Sequence, residues 1–150
     1  SNCYDMWFPE TVRSLVWMGA EIILHPSLTS TIDRDIETAM VRTHGAQNQV
    51  YFFDVNLAGP LGKGQSCIAG PGGEVIYQAG KSPEIMPLKL DLAYLREVRA
   101  NGWQNLGQTL KSFRDSEAVY PPYRQGAASP ALNDLGELTM PGRPNRAQET

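Results

Sequence analysis

Cys3 stands just ahead of a segment with the marks of a short amphipathic helix, and that placement gives it possible chemistry. In "FPETVRSLVWMGA", Phe8, Val12, Leu15 and Val16 recur at helical spacing. Pro9 occupies a first-turn position, and Gly19 follows the end, where a left-handed cap is favoured. A thiol on a sharp turn into such a helix projects toward solvent. As a thiolate it attacks a carbonyl or nitrile carbon, given a base to take its proton and an oxyanion stabiliser beside it. Without further context an unreactive structural cysteine is the commoner outcome.

The other residues of reactive type offer less. His25 and His44 have no acid partner at an obvious spacing, and both read as structural. Cys67 lies within the apolar run "QSCIAG" and reads as a buried, inert thiol. Two histidines and two cysteines form no zinc-ligand spacing, so neither a metal nor another cofactor is expected. "GPLGKGQS" fails as a phosphate loop, because Gly64 follows Gly62 and Lys63 where a Ser or Thr would hold magnesium.

Composition narrows the class. A chain of 150 residues with 41% hydrophobic residues can build one core. A net charge of -3, with no basic block among 13 Lys and Arg, gives no reason to expect nucleic acid as a partner. No apolar run approaches the roughly 20 residues of a membrane helix, so no membrane is expected either. Two cysteines are too few for a disulfide framework and point to a reducing, cytoplasmic compartment.

The elements that would position Cys3 follow in α/β order. "EIILHPS", Glu21 to Ser27, reads as a strand buried on both faces and stopped by Pro26. Asp33 can cap a helix with Ile36, Ala39, Met40 and Thr43 on one side, running to about Asn48. "VYFFDVN", Val50 to Asn56, reads as a second buried strand. "QSCIAG" and "EVIYQAG" are joined by Pro71, Gly72 and Gly73 as a hairpin. "EIMPLKLD" reads as one more strand, and "LAYLREVRANG" as a helix ending at Gly102. From Trp103 the chain is rich in Pro and Gly without a sustained period, so 103–150 is expected to be an irregular extension, disordered over its last twenty or so residues.

Taken in order, "CYDMWFPETVR", "GAEIILHPSLT", "QNQVYFFDVNLAG" and "GQSCIAGPGGEVIYQAG" resemble the second half of a domain of the nitrilase superfamily, the carbon-nitrogen hydrolases. The likeness runs from Cys3 to about Arg99, with Arg42 and Asn48 on the helix, Asn56 ending a strand, and Gly64, Ser66, Pro71 and Gly73 around the hairpin. It implies half of a four-layer αββα sandwich over 1–102. It also implies a Cys-Glu-Lys triad in which Cys3 is the nucleophile and the backbone N–H of Tyr4 helps hold the oxyanion. The substrate class implied is a small amide, with nitrile and N-carbamoyl substrates as alternatives, and a non-catalytic module of the same fold as another. The family's Glu and Lys precede the cysteine, where this chain has only Ser1 and Asn2, so the isolated chain is expected to be inactive without an N-terminal half. Asp5 and Glu10 stand where the family carries structural acids.

Met6 and Trp7 occupy positions where carbamoyl-amino-acid hydrolases of this family carry arginines; being uncharged, they either wall an apolar acyl pocket or pack as core. Ser27, Leu28 and Thr29, at the carboxyl end of a strand, either contact the ligand or make a plain turn. Family members associate through paired helices and carboxyl-terminal segments, which implies a homo-oligomer in which 103–123 wraps a neighbour.

Overall fold

The apolar runs pair into one four-stranded sheet in the computed structural model, which describes residues 1–138. β1 (Ile22–Ser27) runs parallel to β2 (Tyr51–Asn56), with Ile22 opposite Tyr51 and Ser27 opposite Asn56. β3 (Cys67–Ala69) pairs antiparallel with β2, and β4 (Val75–Gln78) antiparallel with β3, giving the order β1-β2-β3-β4. The β1 to β2 crossover is the helix α2 (Arg34–Asn48), as parallel pairing requires. The β3 to β4 connection is the tight turn through Pro71, where Gly73 adopts φ +82 and its N–H returns to the Gly70 carbonyl at 3.0 Å. Arg42 fastens this hairpin to α2 by donating from Nε to the Gly73 carbonyl at 3.0 Å.

Helix α1 (Pro9–Trp17) and α2 cover one face of the sheet. Val12, Val16, Val41, Ile23 and Phe52 meet there with Met6, and each is almost fully buried. Helix α3 (Leu92–Asn101) buries Leu95 and Val98, and Asp91 caps it by accepting the Tyr94 N–H at 3.0 Å. A short helix α4 (Thr109–Asp115) packs on α2, with Phe113 edge-on to Trp17 at 5.8 Å and under the Arg13 guanidinium at 5.0 Å. The first compact unit thus runs from Ser1 to Ser116. A second begins at Glu117 and contains a 3-10 turn at Pro121–Tyr123 and one helical turn, α5 (Pro130–Asn133). The expected disorder of the last residues falls largely on 139–150, outside the described residues.

Four element-level expectations need correction. Pro26 does not stop β1, which continues to Ser27. Its missing N–H costs nothing there, because β1 is an edge among the described strands. Nor is β1 buried on both faces: Ile23 and His25 are buried, whereas Leu24 between them is 65% exposed. On α2 the buried side carries Arg34, Glu37, Val41, His44, Gly45 and Asn48, while Ile36, Ala39 and Thr43 face solvent and Met40 is half-buried. "EIMPLKLD" forms no strand. Pro87 removes a ladder donor from it, and Glu84 is engaged locally, accepting from the Gly80 N–H at 2.9 Å and the Tyr77 hydroxyl at 2.7 Å.

Candidate active site

Cys3 opens a 3-10 turn, Cys3–Trp7, that leads into α1. Its backbone φ is +47, a left-handed conformation that costs a non-glycine residue about 1–3 kcal/mol and persists only where the surroundings over-determine it. Several contacts supply that determination. The Asp5 carboxylate accepts the Asn2 N–H at 2.9 Å, and the Asp5 N–H donates to the Asn2 carbonyl at 3.1 Å, so Asp5 is engaged in holding the turn. The Met6 side chain, 1% exposed, is driven into the core beneath α1. The Met6 carbonyl meets Nε2 of His44 at 2.8 Å, and the Ser1 hydroxyl meets Nδ1 of His25 at 2.8 Å.

A cavity of about 450 Å³ opens beside the thiol, walled by Cys3, Tyr4, Trp7, Leu28 and Thr29. Ser30, Thr31, Asp33 and Glu37 complete the wall, so its lining is mixed rather than simply apolar. Of the residues singled out in the sequence, the fold therefore brings together Cys3, Tyr4, Trp7, Leu28 and Thr29. It puts Met6 in the core instead. Ser27 turns away from this cavity, donating to the Asp54 carboxylate at 3.0 Å and lining a separate hollow with Asn56 and Ser66.

The loop that carries Leu28 and Thr29 is pinned by Asn56. Its side-chain oxygen accepts the Thr29 N–H at 2.8 Å, and its amide donates to the carbonyls of Thr29 and Gly64 at 3.0 and 2.9 Å. Behind that loop lies a buried ionic cluster that sequence reasoning missed. Arg34 donates from one terminal nitrogen to Glu37 at 3.1 Å, and from the other to Asp54 and to the Gln65 carbonyl. Thr29 donates its hydroxyl proton to Glu37 at 2.9 Å. The charges thus reach the cavity wall through Glu37. The signal for it was Asp54, a carboxylate inside the apolar strand "VYFFDVN", which cannot be buried without a cation.

Burial sets the protonation of the remaining buried groups. It pushes the imidazoles of His25 and His44 below the usual histidine range, the Asp54 charge opposing this at His25 and the Met6 carbonyl at His44. It pushes the Cys67 thiol up, which together with 1% exposure makes that cysteine inert. Among the described residues no group of His, Cys, Asp and Glu is placed to hold a metal ion, and no helix is long and apolar enough to cross a membrane.

A strained cysteine turn feeding a helix, on an α/β sheet whose loops wall a cavity around the thiol, is the architecture of a class of thiol-bearing α/β proteins. The particular family follows from comparison: the carbon-nitrogen hydrolase model matches residues 1–100, and the chain belongs to that family. Human deaminated glutathione amidase is 31% identical over 103 residues, which are 65% of this chain and 32% of that protein. A Saccharomyces cerevisiae structure, a branch 10 member of the nitrilase superfamily, superposes with a TM-score of 0.62 at 28% identity, covering 67% of this chain and 39% of that one. An amidase from Nesterenkonia sp. AN1, solved after Michael addition of acrylamide at its active site cysteine, gives a TM-score of 0.57 at 27% identity. That match covers 66% of this chain and 41% of the amidase, so the chain spans well under half of each relative. The α/β, nitrilase-like fold class expected from the sequence is the fold of these structures.

Proposed function

We propose that Cys3 is the nucleophile of a thiol-dependent hydrolase acting on a small linear amide, working with a Glu and a Lys that precede it in the complete domain. The observation that carries this reading is the strained Cys3 turn at the mouth of the cavity walled by Leu28 and Thr29, in a chain of this family. The relatives named above are amidases or nitrilase-superfamily proteins, which supports amide chemistry. The Cys3 thiol passes its proton to the Glu as sulfur attacks the amide carbon. The carbonyl oxygen gathers negative charge, held by the Lys and by the Tyr4 N–H, which an oxyanion site must supply in fixed geometry. Collapse of this intermediate expels ammonia, which takes the proton from the Glu. Water, deprotonated by the same Glu, then cleaves the thioester to the acid and restores the thiol.

The partner half is supported by the sheet itself, which presents Leu24 and Val55 to solvent at 65% and 48% exposure, an apolar face suited to a second sheet. On this reading a protein lacking the Glu and Lys of that half releases no ammonia. In the complete protein, Cys3→Ala should lower ammonia release from a linear amide by about 10⁴-fold or more while the protein stays folded. Undiminished turnover in that variant rules the reading out. Nitriles and N-carbamoyl compounds assayed alongside separate the alternatives, since carbon dioxide appears only from the latter.

A further inference from the structure

The reaction above leaves two buried imidazoles unused, and both touch the segment that carries the nucleophile. His25 on β1 and His44 on α2 lie against the same Phe52 ring, with centroids at 5.5 and 5.2 Å. The His44 ring stacks at 18° to Phe52, and Phe52 is wholly buried in the core, so the imidazole plane is fixed by packing. From that plane Nε2 reaches the Met6 carbonyl at 2.8 Å. A carbonyl oxygen only accepts, so Nε2 must carry the proton, and in the neutral imidazole that burial favours Nδ1 is then bare. Nδ1 is buried with no hydrogen-bond partner among the described residues, so the bond that orients this ring is the one from Nε2.

We propose that His44 is a positioning residue for the nucleophile: its Nε2–H, anchored on Phe52, holds the Met6 carbonyl and so keeps Cys3 and the Tyr4 N–H in the strained turn that faces the cavity. The inference rests on the reading of Cys3 as nucleophile. Met6 lies within the turn that Cys3 opens, and a left-handed cysteine relaxes unless its turn is held. The Asn2 and Asp5 bonds across the turn are exposed to water and constrain it weakly. The His44 contact is buried, and it comes from a helix that is itself fixed near one end by Arg34 against Asp54 and near the other by Gly45 against the Gly70 carbonyl. A shift of the turn by about 1 Å would displace sulfur and oxyanion donor together, a misplacement that can cost about 10²-fold in rate without touching substrate binding.

The test uses the complete enzyme with a linear amide substrate. His44→Leu should lower kcat by about 10²-fold with KM within about twofold, and should slow alkylation of Cys3 by iodoacetamide. His44→Gln, whose amide nitrogen can occupy the Nε2 position, should recover most of both, whereas His44→Asn, too short to reach Met6, should not. Nitrogen-15 NMR of the wild-type enzyme should show the tautomer protonated at Nε2, a reading that needs no variant to fold. Protonation at Nδ1 overturns the proposal, as does equal loss in the Gln, Asn and Leu variants in step with their melting temperatures. A dead Cys3→Ala beside a fully active His44→Leu sinks this inference alone, while an active Cys3→Ala sinks the reading beneath it.

Discussion

Arg34 is 1% exposed and faces two buried carboxylates, so its charge is a structural necessity rather than a surface choice. Removing it would leave Asp54 facing the Ser27 hydroxyl and Glu37 facing the Thr29 hydroxyl, neither able to neutralise a buried anion. Arg34→Met should therefore cost about 3–5 kcal/mol, read as a fall in the urea midpoint at unchanged slope. A midpoint equal to wild type would mean that the cluster is not held as ions. This cluster also marks the limit of the sequence at this scale. Asp54 stands out within its apolar strand, but nothing in "TIDRDIE" separates Arg34 from an exposed helix-start residue. Cys3 and Trp7 were legible from the family pattern, and Leu28 and Thr29 from their place at the carboxyl end of a strand. Met6 was not resolved, since an apolar residue beside a candidate nucleophile fits a pocket and a core equally well until packing decides.

At the scale of elements, α2 is where pattern and structure part most clearly. Ile36, Ala39, Met40 and Thr43 form the apolar stripe, yet the opposite side is buried, because its polar residues each find a partner: Arg34 with Asp54, Glu37 with Thr29, His44 with Met6. Periodicity counts apolar residues and cannot see such partners. The strands and the hairpin were legible from short apolar runs between glycines and prolines, whereas "EIMPLKLD" has strand-like composition but an interior proline, and it stays unpaired. Helix α2 meets the sheet at Gly45, where a Cβ would stand 2.5 Å from the Gly70 carbonyl oxygen and 3.4 Å from the Ala69 Cβ. Gly45→Ala gains about 1 kcal/mol of helix propensity but forces backbone apart, so a net loss of about 1–3 kcal/mol is expected in urea unfolding. A stabilised variant would show that α2 can ride higher on β3 at no cost.

The unit from Ser1 to Ser116 is built on a sheet with one covered face and one open one. Ile23, His25 and Phe52 point beneath α1 and α2, and by the alternation of a strand Leu24 and Pro26 must point the other way, opposite Phe53 and Val55 in register. A sheet face that is apolar and wet over several residues gains by packing against another sheet about 10 Å away, which is what the proposed N-terminal half would supply. The two situations differ measurably at Leu24, 65% exposed here. In the isolated 150-residue chain Leu24→Ala should change stability by no more than about 0.5 kcal/mol, as surface substitutions do. In the complete domain the same change should cost about 2–5 kcal/mol, because it opens a cavity between sheets. Paired urea titrations of both forms, each with and without the substitution, read the difference directly. Equal small losses in the two forms would mean that no second sheet covers this face, and that the base and lysine assigned to that half must approach Cys3 by another route.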